Sequence, residues 1–100
     1  MPLTSTLSKD DTTLTISIVG EFGDSLMEDF RATYFEFIYC DMAFIIDFRQ
    51  TERIDSSGLG ILLTMRKLLG DSIHISIVNC RPEIKDILAY FRFDRKFDIT

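Results

Sequence analysis

Residues 43–70, "AFIIDFRQTERIDSSGLGILLTMRKLLG", hold an unalternated apolar run, a polar connection, and then an apolar pattern with a different period. The run over 43–48 is short and apolar, as suits a central strand paired on both edges and covered on at least one face. From Ser57 the spacing of Leu59, Leu62, Leu63, Arg66 and Leu69 predicts a helix, and Gly70 is placed to end it. "RQTERIDSS" reads as the polar loop between them. A strand leading straight into a helix is the building unit of an α/β fold.

The flanks repeat that unit. Toward the amino end, "TTLTISIV" (12–19) alternates Leu14, Ile16 and Ile18 against Thr13, Thr15 and Ser17, the period of a strand with one apolar face. "LTSTLS" ahead of it can fold back across "KDD" as an antiparallel hairpin. After the break at "GEFGDS", Leu26, Phe30, Thr33 and Phe37, beside Met27, Tyr34 and Ile38, predict an amphipathic helix over 25–39. Asp24 or Ser25 would cap it, with Glu28 completing a capping box from Ser25. Toward the carboxyl end, "SIHISIVN" alternates Ile73, Ile75 and Ile77 as a strand. Pro82 opens a helix whose apolar face is Ile84, Ile87, Leu88 and Phe91. "KFDIT" fits a last edge strand or a terminal helix. The expected architecture is α/β, a mixed sheet of four or five strands with helices mainly on one face, right-handed crossovers setting that side.

The chain has 100 residues, 46% of them hydrophobic and 27% charged, the composition of a folded globular protein; by length, residues 1–100 are expected to form a single domain. Its net charge of −5 opposes a nucleic-acid partner, because such partners are held by basic residues that release counterions. The start, "MPLTSTLSKDD", lacks the basic segment and apolar stretch of a secretion signal, and no apolar run has the length of a membrane span, so the expected location is the cytoplasm. Cys40 and Cys80 are expected as buried, reduced thiols. With one histidine in the chain, no metal site or cofactor is expected.

At the strand–helix junction, Asp55, Ser56, Ser57, Gly58 and Gly60 stand together. The plain reading is structural: Asp55 or Ser56 caps the helix, and the glycines permit close packing. A cap accounts for one side chain. It leaves two glycines at a helix start, each costing on the order of 1 kcal/mol against alanine in a helix interior, unless backbone access is needed there. A helix start also tolerates a phosphate electrostatically, so Ser56 could carry one without unfolding the chain.

Three enzyme motifs do not fit. No lysine follows Gly60 as a Walker loop requires, the dinucleotide glycine pattern is missing, and Ile54 stands where a nucleophile elbow needs glycine. His74 faces away from the Ile73, Ile75, Ile77 side and would have to meet Ser56 across the fold to form a triad, so it is read as non-catalytic. Asp47, inside an apolar strand, needs partners if buried, and a hydrogen bond to the following loop is one solution.

The segment "IDSSGLGILL" resembles the signature of the STAS domains at the start of their second helix, in particular the single-domain anti-sigma-factor antagonists. "ISIVNCRPEIKDIL" and the phenylalanine-rich "FRFDRKFDI" are similar to the family's later strand, proline-started helix and tail. The resemblance covers nearly the whole chain. It implies a non-enzymatic partner switch: Ser56, the first hydroxyl after Asp55, is the phosphoacceptor by position. The unphosphorylated protein binds a serine kinase or anti-sigma-type regulator, phosphorylation releases the complex, and a metal-dependent serine phosphatase resets it. Asp55, Ser57, Gly58, Leu59 and Gly60 would form the partner surface with Gly23 and Asp24, Leu59 serving as an apolar anchor. In one departure, the family's acid after the second strand is replaced here by Gly23, with Asp24 one place later. The output, whether a sigma factor, biofilm control or another stress response, stays open. The alternative is a carrier of a small anion or lipid on the same fold, without a phosphoswitch.

Overall fold

The computed structural model describes residues 2–100. Five strands lie in the order β1-β2-β3-β4-β5: β1 (Leu3–Leu7), β2 (Thr13–Phe22), β3 (Ala43–Ile54), β4 (Ile75–Val78) and β5 (Asp98–Ile99). β1 pairs antiparallel with β2, and the other pairings are parallel. Helices α1 (Met27–Phe35), α2 (Ser56–Leu69) and α3 (Pro82–Tyr90) connect the parallel strands. Because strand order never reverses, right-handed crossovers bring every helix to the same side. The mixed five-stranded sheet with its helices on one face is the expected architecture.

The core forms on that face. Leu14 and Ile16 of β2 stand beside Phe44 and Ile46 of β3, which stand beside Ile75 and Ile77 of β4. They join Phe30 and Tyr34 of α1, Leu62 and Met65 of α2, and Ile84 and Leu88 of α3 in one continuous buried cluster. At the hairpin, Asp10 accepts hydrogen bonds from Ser8 Oγ (2.7 Å) and Thr12 Oγ1 (2.8 Å). These bonds, Ser8 first, hold its carboxyl below the usual aspartate range.

β3 differs most from expectation. It continues through "RQTERI", which the polar composition marks as a loop. The pairing with β2 skips twice, between Ser17/Val19 and between Gly20/Glu21, and each skip adds a residue to β3. Beyond Ile46 the buried positions are Phe48, Thr51 and Ile54, every third residue. That spacing matches neither an alternating strand nor a helix face. Thr51 is fully buried and donates its hydroxyl to the carbonyl of Ile18 at 2.8 Å, satisfying a group beside the first bulge. Asp47 resolves as a tie: its Oδ1 accepts from the Arg49 backbone N–H (2.9 Å) and from Asn79 Nδ2 (3.0 Å), joining the bulge to the turn after β4.

α1 is shorter than predicted. A 3-10 turn, Asp24–Leu26, precedes it, and no side-chain hydrogen bond caps either start, so the Ser25–Glu28 capping box does not form. Past Phe35 the chain keeps winding through bonds three residues back, Phe37 to Tyr34 and Ile38 to Phe35. At the other end, α3 stops at Tyr90, and Phe91 turns outward against the Tyr90 ring instead of joining the apolar face. The tail resolves as a 3-10 turn, Phe93–Arg95, followed by β5.

Arg66 secures the far end of α2. It is 7% exposed, donates from Nη1 to the carbonyls of Gly70 (2.8 Å) and Ile73 (2.7 Å), and lies 5.2 Å from the centre of the Phe97 ring. One side chain thus closes the helix end, aligns the entry to β4 and holds the tail.

Both thiols are free, but neither is fully buried as expected: Cys40 is exposed, because the turns after α1 carry it away from the sheet, and Cys80 is half-buried against the core. Burial pushes the Cys80 thiol up to about 11, with Lys85 opposing weakly. At pH 8, Cys80 is then thiolate in on the order of one molecule in a thousand. Iodoacetamide followed by peptide mapping should label Cys40 well before Cys80; equal rates would contradict the packing of Cys80.

The glycines of α2 give a paired test of packing. A Cβ on Gly58 would lie 2.2 Å from the Phe22 carbonyl oxygen, a backbone atom that cannot step aside, whereas a Cβ on Gly60 would meet nothing within 4 Å. Gly58→Ala should lower the unfolding free energy by about 1–3 kcal/mol or more. Gly60→Ala should raise it by up to about 1 kcal/mol. Urea unfolding measures both, and effects of the same sign would refute the packing described.

Candidate functional site: the start of helix α2

The junction between β3 and α2 is held from three sides. The second bulge brings Ile54 level with Phe22, and the Asp55 N–H reaches the Phe22 carbonyl at 3.4 Å, a long and weak contact. Asp55 has extended backbone geometry and is the N-cap of α2, its Oδ1 accepting the Gly58 N–H at 3.0 Å. Gly58 then presses against the Phe22 carbonyl where no side chain would fit. The Phe22 ring is anchored in turn by Phe30 and Phe48, with centroids 5.1 and 5.6 Å away. Of the two capping candidates at the junction, Asp55 is the one that caps, and Ser56 begins the helix.

Ser56 is exposed, and no hydrogen bond from its side chain occurs among the described residues. Its hydroxyl is free because the neighbouring carboxylate already performs the capping. Ser57 is half-buried and turns toward α1, so the adjacent hydroxyls lie in different surroundings. The two glycines divide the roles weighed for them. Gly58 is buried and serves packing, while Gly60 is exposed and leaves open space above the helix. Leu59 is half-buried against the core, so only part of it can reach a partner.

Gly23 and Asp24 lie at the same corner. A Cβ on Gly23 would stand 2.7 Å from Asp55 Oδ2, so glycine here makes room for the capping carboxylate. Asp24 is exposed and opens the 3-10 turn before α1. The acid that the resemblance leads one to expect at position 23 would crowd Asp55 if simply inserted. Nearby, Glu21 and Arg53 form an exposed cross-strand ion pair, worth no more than about 1 kcal/mol.

Beside the junction an apolar groove of about 340 Å³ runs between α1 and α2, lined by Met27, Arg31 and Tyr34 on one side and Ser57, Gly60, Ile61 and Thr64 on the other. Periodicity places these residues on two helices but says nothing of the gap that a missing side chain at Gly60 leaves. The groove is therefore the feature of the site that the sequence did not disclose.

His74 lies just before β4, at the opposite end of the parallel strands from Ser56. Ser76 Oγ and Asp98 Oδ2 both approach its Nε2, at 3.0 and 3.7 Å. A relay requires the acid on the other ring nitrogen, so this trio lacks the arrangement of a nucleophilic triad. The sheet also has no point where strand order reverses, the place where open α/β sheets form a ligand crevice. Among the described residues, no three His, Cys, Asp or Glu side chains are grouped to hold a metal ion. No helix among them is long and apolar enough to cross a membrane.

Comparison with known proteins agrees with this geometry. Residues 5–100 match the STAS domain family. The STAS-domain containing protein PA14_20770 of Pseudomonas aeruginosa (strain UCBPP-PA14) is 37% identical over 101 residues, spanning all of both chains. The anti-sigma factor antagonist SpoIIAA in its unphosphorylated form superposes with a TM-score of 0.76 at 20% identity, covering 98% of this chain and 86% of that one. The phosphorylated form of SpoIIAA, the Bacillus cell fate determinant, gives 0.74 at 21% identity, covering 98% and 90%. The solved structures establish a shared fold, and the match over residues 5–100 with the full-length relative establishes the kinship: this chain belongs to the STAS domain family.

Proposed function

We propose that the protein is a non-enzymatic, cytoplasmic partner-switching regulator of the anti-sigma-factor-antagonist kind, with Ser56 as its phosphoacceptor. The observation that carries this reading is the exposed hydroxyl of Ser56 on a helix start whose cap and packing depend on other residues, Asp55 and Gly58. A fold of this type is known in both a phosphorylated and an unphosphorylated form.

In the unphosphorylated state the corner formed by Asp24, Asp55, Ser56 and Gly60 docks on a serine kinase or anti-sigma-type protein. In that protein's active site Ser56 Oγ attacks the γ-phosphorus of ATP, the Oγ–P bond forms, ADP leaves, and the hydroxyl proton passes to the kinase's base. The phosphate brings about −1.5 to −2 charge to a surface that already carries Asp24 and Asp55. Like-charge repulsion and the cost of desolvating the phosphate both oppose docking. A hundredfold loss of affinity needs only about 2.7 kcal/mol. A metal-dependent serine phosphatase restores the hydroxyl by transferring the phosphoryl group to water.

The small-ligand alternative would place its ligand in the groove between α1 and α2. That groove is open: Met27 on its lip is 46% exposed and Gly60 leaves its wall incomplete. A carrier's ligand is normally covered over most of its surface. The geometry therefore favours a protein partner, whose own body covers what it inserts.

Incubating the protein with ATP and the serine kinase encoded nearest to it should add one phosphate, mapped to Ser56 by peptide sequencing. Ser56→Ala should remain folded, bind the kinase and accept no phosphate. Ser56→Asp should bind at least tenfold more weakly, with part of the loss recovered at high salt as the repulsion is screened. Phosphate on the Ser56→Ala protein would remove Ser56 from the mechanism.

A further inference from the structure

The groove between α1 and α2 begins where the phosphoacceptor does. Ser57, Gly60 and Thr64 line it from α2, and Ser57 adjoins Ser56 in the chain. From α1, Met27 and Arg31 line it, and Phe35, outside the groove, continues their stripe at four-residue spacing; all three are exposed. Arg31 holds its guanidinium 5.3 Å from the centre of the Phe35 ring, stacked rather than paired, and makes no ion pair among the described residues. On a chain of net charge −5, an unpaired, aromatic-stacked guanidinium at the edge of an apolar groove is complementary to a carboxylate. An exposed cation flanked by Met27 and Phe35 also has the composition of interface hot spots, where Arg and large apolar groups concentrate.

We propose that this groove receives an aliphatic side chain from a protein partner's docking segment, while Arg31 pairs with a carboxylate of the same segment. The proposal rests on the reading of Ser56 as the partner-facing hydroxyl and names the chemistry that faces it: an apolar anchor beside an acidic residue. A free fatty acid shares that chemistry but would leave its chain in water along the open side, whereas an anchor on a folded partner is covered from behind. The unfilled space over Gly60 admits the anchor, so any larger side chain there obstructs it.

The test measures binding, by titration calorimetry, of the serine kinase that phosphorylates Ser56 to wild-type protein and to Gly60→Leu, Arg31→Met, Arg31→Lys and Ser56→Asp. Gly60→Leu should bind at least tenfold more weakly while melting no lower than wild type. Arg31→Met should lose affinity and flatten the salt dependence, and Arg31→Lys should recover part of both. If Ser56→Asp weakens binding while the Gly60 and Arg31 variants stay within twofold of wild type, the groove proposal is overturned and the Ser56 reading stands. If the wild type does not bind, both are overturned; if Ser56→Asp binds equally well while the Gly60 and Arg31 variants bind more weakly, the Ser56 reading is overturned and the groove stands. If oleate added to the kinase-free protein at micromolar concentration gives saturable binding that Gly60→Leu abolishes, the occupant is a lipid and the assignment to a protein segment is wrong.

Discussion

The carbonyl of Phe22 is the point on which the corner at the start of α2 turns. The Asp55 N–H points at it, Gly58 packs against it, and Gly23 follows it in the chain, leaving space for the Asp55 carboxylate. Its own side chain is fixed in the core by Phe30 and Phe48. The start of α2 is therefore positioned by backbone contact with the end of β2. The hydroxyl of Ser56 takes no part in that positioning, which leaves it available for chemistry.

Topology completes the arrangement. Strand order without reversal places every helix on one face and gives the sheet no switch point, the place where open α/β sheets form their ligand crevice. What stands there instead is a helix start beside an open groove, a shape suited to contact with another protein's surface. The two bulges of β3 belong to the same design, because they let that strand run far enough to bring Ile54 level with Phe22. Thr51 and Asp47 supply the hydrogen bonds that make the irregular segment tolerable.

Much of this was legible in the residues. Alternation found β2, apolar spacing found α2 and α3, and Gly70 and Pro82 marked their ends. The strand character of residues 49–54 was hidden because the bulges shift burial to every third residue, a period that no regular element has. The early end of α1 was missed because the apolar spacing continues through Phe37 and Ile38 while the hydrogen bonding tightens. At the site, the cluster of Asp55, Ser56, Gly58 and Gly60 announced itself by composition. The division of labour between the two glycines did not, since it depends on where Phe22 arrives from a distant part of the chain. Arg31 gave no signal at all: its significance comes from the Phe35 ring beneath it and the groove beside it.

The central claim is that phosphate on Ser56 alters a surface and leaves the fold alone. Comparing amide and methyl NMR spectra of the unmodified and Ser56-phosphorylated protein tests it directly. Shifts confined to the end of β2, the start of α1 and the first turns of α2, with the methyls of Ile16, Ile46 and Leu62 unmoved, are the expected result. Movement of those core methyls, or loss of the amide of Gly58 from its hydrogen-bonded position, would show that the modification acts by rearranging the interior.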